Sequence, residues 1–107
     1  MGCDAEVIAI GPFSKTLVPA LGYPAEQYLG VEEGATVITT VFEAFGSTQS
    51  EKLSQCFGVG RWDLGRHVLD GSKADLGGLR RDFDEQSTEH FVALREAGFQ
   101  FYFMPNG

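Results

Sequence analysis

With 107 residues, 43% of them hydrophobic and 21% charged, the chain has the length and composition of one globular domain around one core, and a disordered tail does not fit it. A net charge of -7 and a pI near 4.6 create a field that repels phosphate backbones and anionic headgroups, so nucleic acid and membrane surfaces are not expected partners. No apolar run approaches the ~18 residues of a membrane span, and Cys3 and Cys56, without CxxC spacing or a preceding apolar segment, point to a reduced cytoplasmic setting.

In chain order, Met1-Gly2-Cys3 lacks the Ser or Thr that myristoylation wants at position six, where Glu6 stands. Ala5 to Ile10 is rich in β-branched residues and closed by Gly11-Pro12, which predicts a first strand. Ser14 is placed to cap a short helix, and Pro19, Gly22 and Pro24 stop a longer one. Ala25 to Leu29 allows another turn. Ala35 to Phe45 alternates Val37, Thr39 and Val41 with Ile38, Thr40 and Phe42; apolar side chains on both faces predict a central strand. Thr48 and Glu51 have capping-box spacing ahead of Leu53, Cys56 and Phe57, and Gly58 is the natural stop.

From Val59 to Phe83, glycines at 60, 65, 71, 77 and 78 divide short apolar pieces; a strand near His67 to Leu69 and a brief helix capped around Ser72 and Asp75 are the readings there. Asp84 to Ala97 is acidic in its first turn and stopped by Gly98, with Phe91 and Leu94 on one face and Glu85, Glu89 and Glu96 on the other. Phe99 to Met104 then alternates three Phe with Gln, Tyr and Met, a strand whose Phe face should meet the helices. No repeat or composition break divides residues 1–107, so the expected fold is a single α+β domain with a three- to four-stranded mixed sheet and helices mainly on one face.

The densest polar cluster is Arg61, Trp62, Asp63, Arg66 and His67. It supplies carboxylate-binding forks, an amphipathic ring, a carboxylate and a side chain that titrates near neutral pH, the material of a ligand pocket in which Asp63 orients His67 as a base. Core anchoring by Trp62 with surface charge pairing is the simpler reading, because no catalytic motif accompanies the cluster. Two histidines 23 residues apart and two lone cysteines are poor material for a metal centre, and no cofactor is implied. Gly58-Val59-Gly60 lacks the third glycine of a dinucleotide loop and follows a helix. His90, on the apolar face of its helix, reads as a structural histidine. Neither Cys56 nor any serine sits in a nucleophile elbow.

Charge is uneven: Arg61 to Arg81 carries +2, whereas Asp82 to Gly107 carries -4. Glu85, Glu89 and Glu96 form an acidic ridge suited to electrostatic docking of a basic protein, with Val92 and Tyr102 as candidate apolar anchors and Tyr23 and Tyr28 as additions. In size and charge, though in no residue motif, the chain is similar to small acidic inhibitors of bacterial toxins. The sequence therefore favours a protein-binding module, of inhibitor or immunity type, over catalysis. The alternatives are a small-molecule binder or enzyme with its pocket at Arg61 to His67, and a homodimer formed by an aromatic edge strand.

Overall fold

The computed structural model describes residues 4–59 and 67–106. Among them are the strands β1 (Asp4–Pro12), β2 (Thr36–Ala44), β3 (His67–Leu69) and β4 (Gln100–Asn106). The helices are α1 (Gly46–Cys56), α2 (Leu76–Asp82) and α3 (Glu85–Glu96), with 3-10 turns at Lys15–Ala20, Ala25–Tyr28 and Gly71–Lys73. The strands form one sheet in the order β2-β1-β4-β3.

Every strand pair is antiparallel, which corrects the expected mixed sheet. Parallel neighbours need a crossover connection, usually a helix; β3 and β4 are joined through two helices, α2 and α3, and run antiparallel. Two positions in the sheet also differ from expectation. Among the described strands β2 is at the edge despite its two apolar faces, and the aromatic β4 is interior, flanked by β1 on one side and by β3 at Phe101 to Phe103 on the other.

Alternation assigns the inward residues. Ala5, Val7 and Ala9 of β1 and Phe101 and Phe103 of β4 are buried, joined by Leu69 of β3. β2 changes phase midway: Val7 pairs with Phe42 but Ile8 pairs with Thr40, leaving Val41 as the extra residue of a bulge. Phe42 therefore shares the buried side with Thr39 and Ala44, not the side of Ile38 and Thr40 that strict alternation gives it. The buried hydroxyl of Thr39 is satisfied by the backbone N–H of Gly22, at 2.8 Å.

Phe91 of α3 is fully buried at the centre of the core, its ring 4.6 Å from that of Phe101, 5.4 Å from Phe57 and 6.2 Å from Phe42. Leu53, Leu79 and Leu94 bring α1, α2 and α3 into the same cluster. Each such side chain contributes roughly 1.5–3 kcal/mol of burial.

Local signals set the helix ends. The first turn of α1 is held not by Thr48 but by two other side chains: the Gly46 N–H donates to Asp4 Oδ1 of β1, and the Phe45 N–H to Gln49 Oε1 within the helix, both at 2.8 Å. Asp75 caps α2 by accepting the Gly78 N–H at 3.1 Å. The Gly77-Gly78 pair gives α2 little intrinsic helicity, but a Cβ at Gly78 would lie 2.7 Å from Asp75 Oδ2 and 3.0 Å from Cys56 Sγ, so the close approach of α2 to α1 requires glycine. Asp84 caps α3 through the Ser87 N–H at 2.6 Å. At its other end Gly98 takes φ +90°, the Gly98 N–H donates to the Arg95 carbonyl and the Phe99 N–H to that of Leu94, both at 3.1 Å. That reversal delivers Phe99 into the core and starts β4.

Candidate functional site

Glu85, Glu89 and Glu96 are all exposed along one stripe of α3. None of the three forms an ion pair or side-chain hydrogen bond among the described residues. The cation nearest in sequence is turned away: Arg95 donates from Nη1 to the Gly71 carbonyl at 3.0 Å and lies 5.6 Å above the Phe91 ring. Among the described residues the ridge thus has no counter-charge along its length. Val92 is half-buried and packs against the core. Of the acidic residues that precede the ridge, Asp84 is occupied as the α3 cap. Asp82 accepts from the Arg81 guanidinium at 3.2 Å, a hydrogen bond that holds its carboxyl below its ordinary pKa.

Tyr102 does not join this ridge. Phe101 and Phe103, its neighbours in β4, point into the core with Phe91, so alternation turns Tyr102 to the opposite side of the sheet from α3. There it stands between Ile8 of β1 and Val68 of β3. Ile8 is opposite Thr40, Ile10 opposite Ile38 and Gln100, and Glu6 opposite Glu43 and Met104. Ile38 is 59% exposed and Val68 66%; Ile8, Ile10, Tyr102 and Met104 are half-buried by their neighbours. This outward apolar surface, with Ile8, Ile10, Ile38 and Val68, was not among the sequence candidates. The signal that could have found it was the phase of each strand: Ile8 and Ile10 alternate with Val7 and Ala9, so they cannot share the core face. Tyr23 is exposed in its loop, whereas Tyr28 is half-buried and stacks on Phe13 at 5.4 Å.

Of the proposed ligand pocket, Arg61, Trp62, Asp63 and Arg66 lie outside the described residues. His67 opens β3 in register with Phe103. Beside β3 is an open cavity of about 480 Å³, lined by residues that include Leu69, Asp70, Arg95, Phe99 and Gln100. Asp70 accepts from the Ser72 Oγ at 2.6 Å and its N–H at 3.0 Å, which holds the carboxyl below its ordinary pKa. A second groove, of about 310 Å³, lies where the end of β2 meets the start of α3, between Glu43, Phe45, Phe83 and Asp84.

Cys56 is buried, and burial, with Asp75 and Asp82 adding to it, pushes its thiol pKa up, so the sulfur is held as the unreactive thiol. His90 is half-buried on α3. Among the described residues no group of three or more His, Cys, Asp or Glu is placed to hold a metal ion, and no helix is long and apolar enough to cross a membrane. Comparison with protein-family models, with curated proteins and with solved structures finds no match to this chain.

Proposed function

We propose that this domain is a protein-binding module for a partner with a basic surface, acting in the cytoplasm as an inhibitor or immunity-type protein would. The observation that carries this reading is the acidic ridge of α3, where Glu85, Glu89 and Glu96 are exposed without a counter-charge among the described residues. Such a stripe, on a chain of net charge -7, accelerates encounter with a cationic surface and selects against anionic ones.

The test is retention from a lysate of the source cell at low salt, by the immobilised domain and by the triple variant Glu85→Gln/Glu89→Gln/Glu96→Gln. A basic protein should be held by the native domain, released as salt rises, and depleted from the variant. Equal retention by the two, or no basic protein retained, removes the reading.

A second reading is a small-molecule site at His67 and the polar cluster before it; the cavity of about 480 Å³ beside β3, lined by Val68, Asp70 and Arg95 among others, is the observation that invites it. Histidine NMR titration in the presence of candidate carboxylate ligands tests it: a ligand-dependent shift confined to His67 supports the pocket, and its absence argues for the binding module alone.

A further inference from the structure

An antiparallel sheet with one face in a core usually places its large aliphatic side chains inward and polar ones outward. β1 does the reverse. Its inward residues are Ala5, Val7 and Ala9, and its outward ones include Ile8 and Ile10. The chain contains three isoleucines, Ile8, Ile10 and Ile38, and all three are on the outward face; none is in the core. With Val68, Tyr102 and Met104 they make an apolar surface that runs across all four strands. Contiguous apolar surface of this kind marks a contact site.

Charge indicates what covers it. None of the four strands contains a Lys or Arg, and of the carboxylates on the outward side Asp4 accepts the Gly46 N–H, whereas Glu6 and Glu43 stand directly opposite each other. Like charges in one cross-strand position repel, and covering them with apolar surface would strengthen that repulsion. A second copy laid on this face would add a second such pair. A cation supplied from outside would relieve it.

We propose that the outward face of the sheet docks a protein partner whose contact surface is apolar opposite Ile8, Ile10, Ile38 and Tyr102 and carries Lys or Arg opposite Glu6 and Glu43. This deepens the binding-module reading and rests on it, but moves the apolar anchor from Val92 to the opposite side of the domain from the ridge. The ridge then acts on the rate of encounter, and the sheet face holds the complex.

The isoleucine distribution supplies the test, because methyl labelling of isoleucine places every probe on this one face. The full chain with labelled Ile δ1 methyls is titrated with a synthetic amphipathic helical peptide of Leu and Lys, and with its counterpart in which Glu replaces Lys. The Leu/Lys peptide should shift all three methyl resonances and the Leu/Glu peptide should shift none. Ile10→Thr/Ile38→Thr should weaken binding of the first peptide about tenfold, and its amide spectrum in the free state verifies that it folds.

Absence of methyl shifts with the Leu/Lys peptide, or equal shifts with both peptides, overturns the proposal. Methyl shifts on simple dilution, with a matching change in light scattering, would assign the face to a second copy and overturn it equally. The ridge variant Glu85→Gln/Glu89→Gln/Glu96→Gln separates the two claims. Methyl shifts that persist in it leave this inference standing even where the ridge reading has failed.

Discussion

Glu6 and Glu43 occupy one cross-strand position of the β1–β2 pair, two carboxylates directly opposite each other and with no cation bonded to either among the described residues. A fold optimised for stability alone would place opposite charges there. Glu43→Lys should therefore stabilise the isolated domain by about 0.2–1 kcal/mol, read as a higher urea midpoint at unchanged slope. The same substitution should weaken binding of the Leu/Lys peptide, so that stability and recognition move in opposite directions.

The two sides of the sheet should respond very differently to substitution. Phe91→Ala opens a cavity among Phe42, Phe57 and Phe101 and should cost about 3–5 kcal/mol, a large part of the total stability of a domain this size. Ile38→Thr removes an exposed side chain while keeping β-branching, and should change stability by less than about 0.5 kcal/mol. Equilibrium unfolding of both variants checks the contrast.

Gly11, near the end of β1, lies against the Phe99 ring: a Cβ there would fall 2.5 Å from its Cγ. Gly11→Ala should force the ring aside and cost about 1–3 kcal/mol. Combining it with Phe99→Leu should recover part of the loss, and a double-mutant cycle measures that coupling.

Asp84 accepts both the backbone N–H and the Oγ–H of Ser87 at the start of α3. Asp84→Ala should cost about 1 kcal/mol, whereas Asp84→Asn, which keeps an acceptor, should lose less. Thermal unfolding followed by circular dichroism distinguishes them.

In a Cys3→Ser background, Cys56 should react with iodoacetamide roughly tenfold or more slowly in the native state than in the urea-unfolded chain. Its folded pKa is raised above the unfolded value, chiefly by burial. Between the two values the unfolded chain has released the thiol proton and the native chain has not. This contribution to stability is therefore complete below the unfolded thiol pKa and is lost as pH rises through the folded one. An alkaline unfolding series should show a loss that Cys56→Ala reduces.

The elements that could be read from sequence are those whose signals are local. Asp84 and Gly98 bracket α3, the Phe99 to Phe103 alternation gives β4 its phase, Ser14 caps the turn at Lys15, and β3 falls at His67–Leu69. The brief helix expected around Ser72 and Asp75 is α2, capped by Asp75; its length is hard to read because Gly77 and Gly78 lower its helical propensity, and Gly78 is required by packing against Cys56. The bulge at Val41, which moves Phe42 to the core side, leaves no mark in a period-two pattern. Strand order decides the rest: Val37, Ile38 and Val41 make β2 look central, and only the pairing with β1 shows that its outward apolar residues continue those of Ile8 and Ile10. Tyr102 and the α3 glutamates are both outward on elements adjacent in sequence, but outward from the sheet and outward from the helix are opposite directions.

The pairing of Asp4 with Asn106 makes β1 and β4 neighbours although almost the whole chain lies between them. During synthesis β1 can pair with β2 early, yet its other edge waits until β4 has emerged. Throughout that interval the backbone of β1 is an open template flanked by Ile8 and Ile10. The demand on quality control therefore falls late, and translation halted before Phe99 would leave a hairpin prone to pair with other chains.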